Sequence, residues 1–353
     1  MDGLKSILRT VHGYSGAVVA VAFFILGLSG AAIVFEDEML KAGHPELSGH
    51  ADDAGVEPSV EMTVAAIVDE IGAKRIAGVK TPTAHFAGYK VGLKNGRTLL
   101  YDQHGNRVGA VEKFSSVPAT LVELHHNWLT GKPGKILNGV LAFFLFGFVF
   151  SGLILWTQRG FKWRYFKPKS FSPPEMHGLH RNLGILLSPF LALTALTAFA
   201  IVFSPQIAPV LARLAPTGNA TAVQAVAADS GSLIDAMRAA SATFQDATIV
   251  QVQPAGKPGA AHKISMKAPG EIAYKGFTRV YVSSDDGSIT FARDARKGAW
   301  NEKLMESLLP IHSGHTGWIG HRFFNAFVGL ALSVLAIAGF TSFWRRRLRA
   351  RRK

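Results

Sequence analysis

"LVELHHNWLTGKPGKILNGVLAFFLFGFVFSGLILW", residues 121–156, sets two adjacent histidines a few residues ahead of a run that carries no charge from 136 to 158. About 20 apolar residues at a helical rise of about 1.5 Å cross the hydrocarbon core of a bilayer, so the run reads as a membrane span. Three more windows meet the same test, at 13–35, 183–204 and 323–344. The chain has 353 residues, of which 48% are hydrophobic, and it reads as a four-span membrane protein. The first window follows only Lys5 and Arg9, which invites comparison with a cleaved signal peptide. Its apolar stretch is too long for that, and the "FEDEML" after it offers no small-residue cleavage site, so it reads as a retained span.

Orientation follows from Lys and Arg, because short cytoplasmic segments retain positive charge during insertion. Lys5 and Arg9 precede the first window. Arg159, Lys162, Arg164, Lys167, Lys169 and Arg181 lie between the second and third, and Arg345, Arg346, Arg347, Arg349, Arg351, Arg352 and Lys353 follow the fourth. These segments hold nearly all of the net charge of +14. Both termini and the middle loop are therefore expected in the cytoplasm, and the two long connections outside. Basic charge concentrated at span ends is topology and anionic-lipid contact, so no nucleic-acid partner is expected. With no cysteine in the chain, disulfides, thiolate zinc sites, iron–sulfur clusters and covalently attached c-type haem are excluded.

The second half superposes on the first. With His125 over His312, Lys135 falls on Arg322, Asn138 on Asn325 and Gly152 on Gly339; with His12 over His180, Gly16 falls on Gly184, Ser29 on Thr197 and Phe35 on Phe203. The resulting plan is a first span in 1–36, an outer domain in 37–120, a His-bearing segment and second span in 121–158, and a basic loop in 159–179. The third span follows in 180–204, a second outer domain in 205–308, a His-bearing segment and fourth span in 309–344, and a basic tail in 345–353. Each outer domain reads as a small α+β unit. "EMTVAAIVDEIG" and "GSLIDAMRAASATF" have helical apolar spacing. "HFAGYKVGL", "RTLLYDQHG", "RVGAVEKF", "ATIVQVQPAG", "AHKISMKA" and "TRVYVSSDDGSIT" read as short strands, with hairpin turns at "DQHGNRV" and "SSDDGSI".

Of thirteen histidines, His44, His50, His85, His104 and His262 lie in polar outer segments and read as solvated. His12 and His180 start odd-numbered spans at the cytoplasmic end; His125 and His312 precede even-numbered spans at the outer end. One histidine per helix at matched heights makes two pairs, which suits two haem irons each held axially by two imidazoles inside a bundle. A lone histidine at a span end more often satisfies headgroups or helix ends, but ionisable groups repeated at bundle positions point to function. Zinc is the alternative metal, for which two imidazoles are an incomplete set. His126, His177, His315 and His321 are alternative ligands, and Arg9, Arg181, Lys135 and Arg322 are placed to meet haem propionates or to snorkel to the interface. Trp128, Trp300 and Trp318 fall near the outer face, where they would contact an acceptor or anchor the bilayer.

"RTVHGYSGAVVAVAFFILGLSGAAIVFEDEM", "LHHNWLTG", "LHRNLGILLSPFLALTAL" and "IHSGHTGWIGHRFFNAFVGLALSVLAIAGF" resemble the four helix motifs of the PepSY-associated transmembrane (PepSY_TM) family, and the outer units resemble its PepSY-like domains. Members similar to this chain include the FoxB-type periplasmic ferrisiderophore reductases. The resemblance implies a bacterial inner-membrane, four-helix protein with two periplasmic domains. It also implies two haem b groups, the inner on His12 and His180 and the outer on His125 and His312. The expected activity is oxidoreductase, with electrons passing from a cytoplasmic-side or quinol donor to a periplasmic acceptor such as ferric iron in a siderophore, which is released as Fe(II). Hard oxygen ligands hold ferric iron far better than ferrous, so reduction would free the metal. No nucleotide-binding G-x-G-x-x-G opens a helix in the cytoplasmic segments, so a separate donor is expected. A membrane-anchored PepSY-type binding or regulatory protein without redox activity is the competing expectation. A transporter is a third, opposed by the absence of charge near mid-membrane.

Overall fold

The computed structural model describes residues 2–48, 59–83, 86–156, 161–214 and 226–350. Expectations that fall on His50, His85, Arg159, Arg351, Arg352 and Lys353 lie outside them. In chain order the elements are helices α1 (Asp2–Ile33), α2 (Glu36–Gly43) and α3 (Val60–Ile71), then strands β1 (Ile76–Lys80), β2 (Tyr89–Leu93), β3 (Thr98–Tyr101) and β4 (Arg107–Val111). Helices α4 (Val117–Asn127), α5 (Lys132–Leu155), α6 (Pro173–Val202), α7 (Ser204–Leu214) and α8 (Leu233–Thr243) follow. The chain closes with β5 (Thr248–Gln253), β6 (Ala261–Lys267), β7 (Thr278–Ser283), β8 (Ile289–Arg293), α9 (Trp300–Ser313) and α10 (Ile319–Ala350). They divide into two compact units, one of residues 1–34, 121–207 and 311–353, the other of residues 35–120 and 208–310.

The first unit is a helix bundle. Four of its helices, α1, α5, α6 and α10, are long and apolar enough to cross a membrane. Each begins ahead of its apolar window, because backbone hydrogen bonds continue a helix without apolar side chains, while α1, α5 and α6 end two or three residues before the window does. His12 and His180 therefore lie two or more turns inside α1 and α6 rather than at their starts. Helices α1 and α10 cross at Gly27 and Gly329, where a Cβ on Gly27 would stand 2.4 Å from the Gly329 carbonyl oxygen. Ser333 Oγ donates to Phe24 O at 2.9 Å across the same crossing. Small residues that admit such backbone approach are what holds helices together in lipid, where apolar burial gives no preference for protein. Pro189 interrupts α6 and removes the donor for the carbonyl of Ile185. Ser188 Oγ donates to that carbonyl at 2.9 Å.

The second unit is one eight-stranded antiparallel sheet in the order β4-β3-β2-β1-β5-β6-β7-β8. The two outer segments, expected as separate domains, meet here edge to edge: β1 pairs with β5 through Val79↔Val252 and Lys80↔Gln251. Val64, Ile67, Ala236, Met237 and Ala240 of α3 and α8 join Val79, Val91, Val252, Ile264 and Val280 of the sheet in a single core. The side chain of Ser59 caps α3 and that of Ser232 caps α8, each accepting a backbone N–H of the first turn, as expected of helix N-caps. Leu40, Leu47, Phe86 and Leu100 form a smaller cluster that includes α2. Both turn stretches make hairpins, with Gly105 at φ 84° and Gly287 at φ 73°, conformations that glycine adopts without steric cost. His262, expected in solvent, is 7% exposed. It is held from both ring nitrogens, Nδ1 accepting from Ala255 N at 3.1 Å and Nε2 donating to Gly231 O at 3.1 Å.

Candidate cofactor site

His12 on α1 and His180 on α6 face one another across the bundle with ring centres 6.3 Å apart and planes at 81°. His125, near the end of α4, and His312, near the end of α9, face one another with ring centres 6.5 Å apart and planes at 38°. Two imidazoles bound on opposite sides of one metal atom place their ring centres about 6 Å apart, given metal–nitrogen bonds of about 2 Å on each side. Both pairs have that spacing.

The hydrogen-bond partners of Nδ1 determine which nitrogen is left to bind. His12 Nδ1 meets Ser151 Oγ at 2.7 Å, His125 Nδ1 meets Ser29 Oγ at 3.2 Å and His312 Nδ1 meets Thr197 Oγ1 at 3.1 Å. Each hydroxyl already spends its proton on a carbonyl of its own helix: Ser151 on Phe148 O, Ser29 on Ile25 O and Thr197 on Leu193 O. Each hydroxyl therefore accepts from the ring. His180 Nδ1 lies 2.9 Å from the carbonyl oxygen of Leu335, which can only accept. All four rings thus carry the proton on Nδ1 and a lone pair on Nε2, the arrangement that partner hydrogen bonds enforce on metal-binding histidines. Burial pushes the His125 ring down to about 3, with His312 and His126 adding to the effect, and burial pushes His312 down to about 4. Both stay neutral across the physiological range.

The short helices that carry His125 and His312 are tied to the spans that follow. Asn138 Nδ2 donates to the His125 and His126 carbonyls at 2.6 and 3.0 Å, and its Oδ1 accepts from Trp128 Nε1. Asn325 Nδ2 donates to the Ile311 and His312 carbonyls, both at 2.9 Å. Between α4 and α5 the backbone turns through Trp128 and Leu129 at φ 51° and 61°, a left-handed conformation that costs energy for residues with a side chain and persists where surroundings enforce it. Glycines face the rings. A Cβ on Gly339 would lie 3.0 Å from His180, one on Gly30 2.7 Å from His125, and one on Gly152 3.7 Å from His12.

A cavity of about 1200 Å³ opens around His12 and His180, walled by all four spans, which exceeds the usual size of a small-molecule pocket. Gly13, Gly16, Gly152, Gly184 and Gly339 lie on its walls, and Lys5, Arg9, Arg181, Arg346 and Arg347 supply cationic groups. Two imidazoles, a large cavity with small and apolar residues on its walls, and cations suited to carboxylates fit a haem, which brings its own four equatorial nitrogens. A bare ion fits less well, since among the described residues no three His, Cys, Asp or Glu side chains gather to hold one. At the other pair the spacing is similar and both ring partners are hydroxyls, but the pocket beside His312 and His321 is only about 30 Å³, far smaller than a haem, so the cavity fits the group at the inner pair alone.

The alternative ligands belong to neither facing pair, although His177 lines the large cavity and His321 the small pocket beside His312. His126 is exposed, its ring centre 5.8 Å from that of His125. His177 is exposed and accepts from Arg346 at 3.3 Å. His315 Nδ1 turns back to Ser313 at 3.1 Å, and His321 Nδ1 meets Thr316 Oγ1 at 2.8 Å. Of the four cations expected at propionates, Arg9 and Arg181 line the cavity. Lys135 is exposed on the first turn of α5. Arg322 is 5% exposed and donates to Val34 O at 2.7 Å, closing a carbonyl that the end of α1 leaves open. Sequence reasoning missed Ser151, the Leu335 carbonyl, Arg346 and Arg347. It singled out Ser29, Thr197, Asn138 and Asn325 only as superposed positions, and that coincidence was the available signal for their role.

No curated protein matches the chain. The profile of the PepSY-associated TM region matches residues 9–346, nearly the whole length, and the chain belongs to that family.

Proposed function

We propose that the protein is a transmembrane oxidoreductase of the FoxB type. In this reading it takes electrons from a donor at the basic, cytoplasmic end of the bundle and delivers them to ferric iron in a periplasmic siderophore. The observation that carries it is the double pair of facing histidines, each with Nδ1 committed and Nε2 free to ligate. Haem b, bound once at each pair, would supply one-electron chemistry without proton transfer. His12 and His180 would hold one group, His125 and His312 the other. Ser151, Ser29, Thr197 and the Leu335 carbonyl keep the four rings in the ligating tautomer. Arg9 and Arg181 would anchor carboxylates at the inner mouth. Ala20, Phe23, Leu141, Leu145, Ala195 and Ala336 form an apolar cluster in the bundle, and Ala20, Phe23, Leu145 and Ala336 of it also give the large cavity apolar walls. We read the chain as two copies of a span–domain–span unit in an inner membrane, with the sheet unit periplasmic.

The test is the reduced-minus-oxidised visible spectrum and haem stoichiometry of detergent-purified protein expressed with ample haem, followed by dithionite-primed reduction of a ferric hydroxamate. Two b-type haems per chain, reoxidised by the ferric complex, are expected. Well-folded protein without haem would reject the proposal and leave the sheet unit of a membrane-anchored binding protein as the working part.

The partner hydrogen bonds make a finer prediction. Thr197→Val keeps the shape at 2% exposure but leaves His312 Nδ1 without its hydroxyl, and Ser29→Ala does the same for His125. Loss of such a partner typically weakens metal binding about 10- to 100-fold. Haem titration of each apoprotein should show that loss at one site of the two, with unchanged thermal unfolding of the sheet unit.

A further inference from the structure

The large cavity around His12 and His180 carries more positive charge than one haem can use. Lys5, Arg9, Arg181, Arg346 and Arg347 line it, and among the described residues no Asp or Glu does. Haem brings two carboxylates, which leaves three cations over. The five stand in two tiers. Arg181 follows His180 directly and Arg9 lies three residues before His12, so both are within one turn of the ligating rings. Lys5 lies seven residues before His12, and Arg346 seven after Gly339, the glycine that faces the His180 ring. At a rise of about 1.5 Å per residue, Lys5, Arg346 and Arg347 stand about 10 Å farther along the helices, where α1 begins and α10 ends.

Long cations at a span end ordinarily snorkel to water or headgroups, but two guanidiniums of this second tier are fixed to the cavity wall. Arg346 donates from Nε to Ser342 O at 3.0 Å and from Nη2 to Ser342 Oγ at 2.6 Å, and Nη2 also reaches His177 Nδ1 of α6 at 3.3 Å. Arg347 lies 4.1 Å from the centre of the Tyr14 ring and 5.0 Å from that of Phe343, and it donates to the Tyr14 hydroxyl. These acceptors are neutral, so the guanidiniums are oriented without being neutralised. Planar guanidiniums held in this way match phosphate oxygens. A phosphate monoester carries about −1.5 to −2 at pH 7, which suits the surplus.

The ligand must also suit the redox reading, on which this inference rests. An iron held by four porphyrin nitrogens and two imidazoles has no position for a hydride, so its donor has to give single electrons. Flavins do this, whereas nicotinamides transfer hydride. The cavity, at about 1200 Å³, exceeds the roughly 300–1,000 Å³ usual for one ligand, and Tyr14, Phe343 and Trp156 add aromatic surfaces to its wall. We propose that the basic end of this cavity binds reduced flavin mononucleotide as the electron donor, its phosphate held by Lys5, Arg346 and Arg347. Each dihydroflavin gives two electrons, one to each of two successive ferric irons at the His12–His180 pair. It releases two protons to water and leaves as oxidised flavin.

The experiment measures binding of flavin mononucleotide to the purified, haem-loaded full-length protein by equilibrium dialysis, with riboflavin, which lacks the phosphate, in parallel. Anaerobic stopped flow with the photoreduced flavins then reads haem reduction. Lys5→Gln/Arg347→Gln is compared with Lys167→Gln/Lys169→Gln, exposed cations of the basic loop that do not line the cavity. Wild type and the loop control should bind flavin mononucleotide roughly tenfold or more tightly than riboflavin, and the Lys5/Arg347 variant should lose that margin, as expected when charge-assisted contacts go. Its haem content and riboflavin binding should stay unchanged, and its haem reduction at limiting flavin mononucleotide should slow by the same factor. Nanodiscs separate a free phosphate from a lipid one. A phosphatidylglycerol headgroup seated on these cations would abolish the margin that phosphatidylcholine preserves, and that result would overturn the proposal. Equal binding of the two flavins by wild type, equal losses in the two variants, or tight binding without haem reduction would each overturn it as well. Protein without haem, recognised by its spectrum before any flavin is added, would reject the redox reading and the donor assignment with it.

Discussion

His180→Ala and His312→Ala should each lower haem content from two to one per chain, and each should cut ferric reduction by a hundredfold or more. The two histidines belong to different pairs: His180 faces His12, and His312 faces His125. Each variant removes one of only two axial imidazoles at its site, while the other pair keeps its hydrogen-bond partners. Activity should collapse in both cases because the two sites act in series. Haemochrome stoichiometry distinguishes the outcomes, since the content falls to one in either single variant and to zero in the double. A variant that retained both haems would remove that histidine from the ligand set. His126→Ala and His177→Ala serve as controls, being exposed neighbours that should leave the content at two.

A second large effect follows from glycines that face the rings. A Cβ on Gly339 would meet His180 at 3.0 Å, and one on Gly30 would meet His125 at 2.7 Å. Gly339→Val forces the His180 ring away from the Leu335 carbonyl, and Gly30→Val forces the His125 ring away from Ser29. Displacement of about 1 Å in a site that depends on geometry costs on the order of 100-fold. Gly339→Val should therefore reproduce the His180→Ala spectrum, and Gly30→Val should lose the other haem. Gly27→Val provides the contrast, because its Cβ would collide with the backbone of α10 at Gly329. Overpacking of that kind destabilises by about 1–3 kcal/mol and should lower detergent-unfolding stability with no preference between the haems. If all three variants behaved alike, the glycines would be packing residues only.

The four spans were legible in the sequence because charge-free runs of this length have few other readings, and the profile match confirms the family to which their motifs point. Their ends were not legible, since α1 and α10 continue through Lys5, Arg9 and Arg345 on backbone bonds alone. The superposition of His12 on His180 pairs Ser29 with Thr197, and that of His125 on His312 pairs Asn138 with Asn325, from the sequence alone. Which atoms these residues touch depends on helix rotation, which periodicity does not report. Strand β1 escaped notice because Gly78 interrupts its five residues, and its pairing with β5 is a contact between distant segments that no local pattern announces. His262 was misjudged for a similar reason: its strand is polar in outline, while the fold folds a turn over it.

The junction of β1 with β5 also orders the birth of the protein. Val79 and Val252 are about 170 residues apart in the chain, so at about 5–20 residues per second the ribosome needs roughly 10 to 30 s to supply the second strand after the first. Through that interval β1 is the bare edge of a half-finished sheet, a template for pairing with another chain. Lys80 at its end, charged and held beside Lys90, is the type of residue that discourages such pairing.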